Sequence, residues 1–136
     1  MIVADTSAWV EFYRRTEHAV ARELSRLIRA DAELAITEVV IMELLAGTGA
    51  GTPTRELRSR LLAFPVLPLD GLSDYEEAAT IYRSCRDSGR QLRGLSDCLI
   101  AVPVIKAGAS LLHNDADFEV IARHAPLRLH RARPIG

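Results

Sequence analysis

Residues 93–102 read Arg93-Gly94-Leu95-Ser96-Asp97-Cys98-Leu99-Ile100-Ala101-Val102. The stretch predicts a loop that turns into a buried helix. Gly94 breaks what precedes it. Ser96 is a good N-cap, since its hydroxyl can accept from the free amides of a first turn. Asp97 falls in that turn, at the positive end of the helix dipole. Behind it, residues 98–105 form the longest apolar run of the chain. A carboxylate therefore stands at the mouth of a buried helix, with Arg93 just upstream.

On either side of that helix, short apolar strands alternate with helices. Ile2, Val3 and Ala4 suit a buried strand, stopped by Asp5-Thr6-Ser7. Helices are expected over 8–15 and 18–30, the second with Val20, Leu24, Leu27 and Ile28 at helical spacing. A strand over 33–36 leads to Thr37, which caps a helix over 38–46 that ends at Gly47. Residues 47–53 form a loop of small residues, without the Gly-Lys-Ser/Thr of a phosphate loop. A helix over 54–64 precedes a strand over 66–69, whose Pro68 assigns it to a sheet edge. Ser73 and Glu76 predict a capping box for a helix to about residue 88. The buried helix then runs to Gly108, with a kink expected at Pro103. A strand over 110–113, a helix over 117–124 and a strand over 127–129 complete the series. This alternation predicts an α/β fold, three-layer α/β/α, around a short parallel sheet of four or five strands.

At 136 residues the chain is expected to be a single domain, able to bury about two thirds of its unfolded surface. A net charge of −1 names no partner, but the basic residues are 16 Arg and one Lys, Lys106. Arginine makes planar, bidentate contacts to phosphate, while a GC-rich genome gives the same bias without any function. Cys85 and Cys98 lack metal-ligand spacing and read as free thiols of a reducing compartment. No stretch approaches the ~18 apolar residues of a membrane span. The start of the chain lacks the basic region of a signal peptide. Both absences predict a cytoplasmic protein.

In parallel sheets, ligands bind at the carboxyl ends of the strands. Asp5 ends the first strand, Asp115 follows the fourth by two residues, and Asp97 opens a helix. Asp5 can equally serve as a helix cap and Asp115 as a turn residue. Glu43, amid Val, Ile, Met and Leu, is expensive to bury unpaired. It therefore reaches solvent at the helix edge or joins a polar site. Four carboxylates in one cleft would raise one another's pKa values, a penalty that a divalent cation removes. All-oxygen donors select Mg²⁺ or Mn²⁺ over Zn²⁺. A metal so held can activate water and stabilise a leaving oxygen in phosphodiester cleavage.

Four blocks then carry a resemblance: Val3-Ala4-Asp5-Thr6-Ser7; Glu43; Leu95-Ser96-Asp97-Cys98-Leu99-Ile100-Ala101; and Leu112-His113-Asn114-Asp115-Ala116-Asp117-Phe118. In this order they resemble the PIN domain, and the length resembles the VapC toxins of bacterial toxin–antitoxin pairs. The resemblance implies a Mg²⁺-dependent endoribonuclease, with Mn²⁺ as a substitute, that cuts structured RNA such as tRNA or rRNA. It also implies a homodimer silenced by a cognate VapB antitoxin. Asp5, Glu43, Asp97 and Asp115 match the acidic quartet, with Asp5, Asp97 and Asp115 as direct metal ligands. Asp117 competes with Asp115 for the fourth place, and Thr6 matches the hydroxyl beside the first acid. Two positions depart from the pattern. His113 stands where many members have Thr or Ser, and Pro103 interrupts a helix that usually continues.

Arg93, with Arg90 and Arg86 behind it, is expected to hold RNA at the rim of the cleft. Trp9, Phe12, Tyr13 and the helix over 54–64 offer apolar surface for a dimer. Two other readings compete. An aspartate phosphatase or phosphoacceptor would also use strand-end Asp residues and Mg²⁺, but it needs a Lys in the site and, for the phosphatase, a second Asp where Ser7 stands. A non-catalytic PIN-like binding module would keep the fold without the chemistry.

Overall fold

Ile2, Val3 and Ala4 form β1 (Ile2–Ala4), with Val3 and Ala4 fully buried. In the computed structural model, which describes residues 1–49, 51 and 53–134, there follow α1 (Thr6–Tyr13), α2 (Ala19–Arg29), β2 (Leu34–Thr37), α3 (Glu38–Ala46), α4 (Thr54–Leu61), β3 (Val66–Leu67), α5 (Gly71–Asp87), α6 (Ser96–Lys106), β4 (Ser110–Leu112), α7 (Ala116–His124) and β5 (Arg128–Leu129). The strands lie in the order β3-β2-β1-β4-β5 and every neighbouring pair is parallel. Among the described residues seven helices flank this sheet, the α/β arrangement expected. β3 is an edge strand, as Pro68 required. Residues 50 and 52 of the small-residue loop lie outside the described residues.

The order fixes where a site can form. β1 sits between β2, the next strand in sequence, and β4, which is reached only after α5 and α6. Its Val3 pairs with Ala35 on one side and with Leu111 on the other. Connections thus leave β1 in opposite directions, and a crevice opens at the carboxyl ends of β1 and β4. Ala4 lies opposite Leu112, and the Asp5 amide donates to the Leu112 carbonyl at 2.9 Å. The residues after both strands are therefore held side by side.

α6 packs the centre. Ile100, Ala101 and Val104 are fully buried, and burying an aliphatic side chain of the size of Ile or Val stabilises by about 1.5–3 kcal/mol. That burial carries the helix through Pro103, which removes one amide but does not end α6 before Lys106. Trp9 fills the core beside Phe64 at 5.5 Å and is 2% exposed, so it is no dimer surface.

Several helix starts differ from expectation. α1 begins at Thr6 because the Asp5 side chain accepts from the Ser7 amide. Ser96 is not an N-cap: Leu95 takes that position in αR geometry, with no side-chain cap bond, and Ser96 is already helical. The Ser73–Glu76 box does not form either, because α5 starts earlier, at Gly71, whose φ of +61° turns the chain. The Asp70 amide instead donates to Asp74 Oδ2 at 2.7 Å. Thr37 caps α3 as expected, accepting from the Val40 amide.

Candidate active site

Asp5 emerges from β1 into the crevice and is 3% exposed. Its Oδ2 accepts from the Ser7 amide at 3.0 Å and from Ser7 Oγ at 2.6 Å. Its Oδ1 is buried and has no hydrogen-bond partner. Burial pushes the Asp5 carboxyl above its usual range, against the lowering effect of the Ser7 bonds. An acceptor left buried and unpaired costs about 1–3 kcal/mol.

Ser7 does more than cap. Its Oγ also accepts from the Asn114 amide at 2.8 Å, joining the end of β1 to the loop after β4 across 107 residues of sequence. Thr6 turns the other way and donates to Glu43 Oε1 at 2.6 Å. Ser7 thus bonds Asp5, while Thr6, the residue expected to match the hydroxyl beside the first acid, bonds Glu43 of α3. The sequence signal for Ser7 was its position two residues after a strand-end Asp, where a capping partner belongs.

The loop after β4 presents two acids. Asp115 is the N-cap of α7, and its Oδ1 accepts from the Asp117 amide at 3.0 Å and from Arg93 Nη2 at 2.5 Å. Asp117 Oδ2 accepts from the Arg93 amide at 3.1 Å and from Arg93 Nε at 3.4 Å. Arg93, with 76% of its side chain exposed, therefore bridges both carboxylates. His113 Nδ1 accepts from the Asp115 amide at 3.0 Å. This leaves Nε2 to donate to Glu119 Oε2 at 2.9 Å, a tautomer assigned from the bonding. Arg131 donates to the same Glu119 oxygen at 2.8 Å and, with help from His113 and against burial, holds Glu119 below the usual carboxylate range.

Asp97 enters from the first turn of α6. Asp97, Asp115 and Asp117 each bring one carboxylate oxygen to within 4.8 Å of the others. The two acids that competed for one place are thus both in the cluster. Asp5 and Glu43 lie outside that spacing, yet their charges are felt. Burial, followed by the fields of Asp5, Asp115, Asp117 and Glu43, pushes Asp97 up to about 7. A cluster of carboxylates with one guanidinium among them, joined by no Cys or His among the described residues, suits a hard divalent cation.

The PIN domain family model matches residues 2–124. Ribonuclease VapC11 of Mycobacterium tuberculosis is 42% identical over 124 residues, covering 90% of this chain and 92% of that protein. Among solved structures, VapBC-5 from Mycobacterium tuberculosis, a member of the VapBC family of toxin-antitoxin systems, superposes with a TM-score of 0.64 at 25% identity, covering 95% of this chain and 96% of that one. Mycobacterium tuberculosis VapC20, a sarcin-ricin loop cleaving toxin, superposes with a TM-score of 0.66 at 15% identity, covering 94% and 99%.

Proposed function

The chain belongs to the PIN domain family and, within it, to the VapC ribonucleases of toxin–antitoxin systems; from this we propose that it is a Mg²⁺-dependent endoribonuclease that inhibits translation by cutting tRNA or rRNA. Mn²⁺ substitutes for Mg²⁺, a VapB-type antitoxin is the silencing partner, and the active form is a cytoplasmic homodimer. Among the described residues no helix is long and apolar enough to cross a membrane. The observation that carries the reading is the approach of Asp97, Asp115 and Asp117 to within 4.8 Å of one another, with the charge of Asp5 felt at Asp97.

Each residue has a part. Asp97 and Asp115 hold the cation, with Asp117 completing the cluster. Asp5 offers Oδ1 while Ser7 fixes its other oxygen. When bound, the cation would supply Lewis-acid chemistry for phosphodiester cleavage at these carboxylates. Glu43 is oriented through Oε1 by Thr6, which leaves Oε2 to position water and take its proton. Arg93, next to Asp115 and Asp117, offers a guanidinium to the phosphate that enters. Its pairing with these acids supports a place beside the reacting group.

Substitution of Asp5 tests this reading. Asp5→Asn keeps the helix cap, since Asn also caps, and should abolish metal-dependent cleavage of tRNA and rRNA while the circular dichroism spectrum stays unchanged. Cleavage at the wild-type rate would remove Asp5 from the reaction. The phosphatase or phosphoacceptor reading is disfavoured by Lys106. Its ammonium is bound to Asp74 at 2.9 Å and lies 3.7 Å from Asp70, so it is engaged outside the cluster. A non-catalytic module would bind little Mn²⁺ in a titration, whereas saturable binding is expected here.

A further inference from the structure

Two hollows open beyond Glu43. The first, about 400 Å³, is lined by Glu43, Leu44, Pro53 and Leu57, and by Tyr13 and Arg60. The second, about 600 Å³, is lined by Phe12 and Thr16 and by four arginines, Arg15, Arg22, Arg29 and Arg60. None of the described residues lining the second hollow is acidic. Tyr13 and Arg60 line both, so the hollows lie next to each other as a track, and Glu43 of the candidate site is in the lining of the first. Both volumes fall in the range of ligand-sized pockets.

We propose that this track binds a single strand of RNA leading into the acidic centre, with a nucleobase stacked on Tyr13 and the phosphates beyond it on Arg15, Arg22 and Arg29. The proposal rests on the ribonuclease reading and gives that reading a substrate path. The acids of the centre repel phosphate, and the nearest guanidinium, Arg93, is engaged with Asp115 and Asp117. One guanidinium at the centre does not offset that repulsion along a strand, and the second hollow concentrates further positive charge. Arg22 and Arg60 make only exposed ion pairs, with Glu17 at 3.5 Å and Glu56 at 2.8 Å. Arg15 and Arg29 make no ion pair among the described residues, so their guanidinium groups are free for a polyanion.

Tyr13 has the build of a stacking platform. Trp9 lies against its ring at 5.8 Å and 23°, and Phe12 meets it at 5.3 Å and 74°. The ring is thus braced from inside while the residue stays 38% exposed. Aromatic platforms alternating with basic groups are the recurring means of holding single strands irrespective of sequence. A purely apolar protein segment would use the first hollow alone, and four arginines in the second favour nucleic acid over it.

The test uses the Asp5→Asn protein, so that RNA stays intact, and follows the anisotropy of a fluorescein-labelled single-stranded RNA across a KCl series. Arg22→Ala/Arg29→Ala should weaken binding at least ~10-fold and reduce the log–log salt slope by about 1.4, at roughly 0.7 per phosphate contact. Arg83→Ala/Arg123→Ala removes the same charge from α5 and α7, outside both hollows, and should change affinity by less than about twofold. Tyr13→Ala should lose about tenfold with the slope unchanged, and Tyr13→Phe should recover it. Equal losses from the two double variants would reduce the effect to net charge and overturn the proposal. So would unchanged binding in Arg22→Ala/Arg29→Ala, which would leave the hollows to a protein segment. A parent that binds no RNA would sink the ribonuclease reading together with the track. A parent that binds RNA while the hollow variants behave like it would sink the track alone.

Discussion

Asp97 carries the sharpest electrostatic conflict of the molecule, and its titration is measurable. In the fold it holds its proton up to about pH 7, against a usual value of 3.8. Between those values the folded chain binds a proton that the unfolded chain has released, so stability falls as pH rises through the window. Asp5 is shifted in the same direction. Glu23, held at about 2 chiefly by Arg26, loses its stabilising effect only below about pH 4.5 and does not interfere. The melting temperature in EDTA should therefore decline from pH 5 to pH 8, and Mg²⁺ should restore more of it at pH 8 than at pH 5. A flat or rising profile without metal would contradict the crowding of these carboxylates. His113 offers a second test at this scale. If its Nδ1 orients Asp115 through the loop amide, His113→Leu should weaken Mn²⁺ binding about tenfold by calorimetry, as loss of a supporting bond does. His113→Asn retains an acceptor near that amide and should lie closer to wild type. Equal Mn²⁺ affinities in all three proteins would show that the bond does not orient the acid.

Secondary-structure elements were legible where a single local preference governed them. α3 runs from Glu38 to Ala46 with Thr37 as cap and Gly47 as stop, because a cap, an apolar run and a glycine agree there. Ser96 and Ser73 misled because a capping side chain is recognised by type, whereas the start of a helix is decided by backbone geometry. Gly71 at φ +61° begins α5 before Ser73 is reached, and Leu95 already has helical dihedrals before Ser96. Gly108 is the counterpart at the end of α6, at φ +64° with its amide donating to the Ile105 carbonyl at 3.0 Å. An added Cβ there would meet nothing within 4 Å, so Gly108→Ala should cost only the left-handed strain, about 1–2 kcal/mol. Thermal melts should show a drop of a few degrees with RNA cleavage intact at lower temperature. A loss of activity at equal folded fraction would mean that the end of α6 is coupled to the site.

Across the whole molecule, the candidate acids were legible as residues but not as a cluster. Asp5, Glu43, Asp97, Asp115 and Asp117 could be picked out by strand ends, helix starts and an acid in an apolar helix. Which of them converge depends on the sheet order and on bonds such as that from Asn114 to Ser7, for which a sequence has no local mark. Of the apolar surface expected to serve a dimer, Trp9 points inward while Tyr13 stays exposed, and Leu72, Met42, Leu95 and Tyr75 are more than half exposed. Such side chains, with the family membership, lead us to expect a dimer mass by light scattering at micromolar concentration, and a monomer mass would count against it. A ribosome making this chain delivers β1 long before β4, its neighbour in the sheet, and Asp5 and Glu43 long before Asp97 and Asp115. Parallel pairing over such distances is slow and must await the later segment. A product released before residue 97 would carry two of these acids and lack the strand that aligns them. Messages cut or abandoned midway would then yield inert fragments, and a cell producing this nuclease would meet its toxicity only in finished chains.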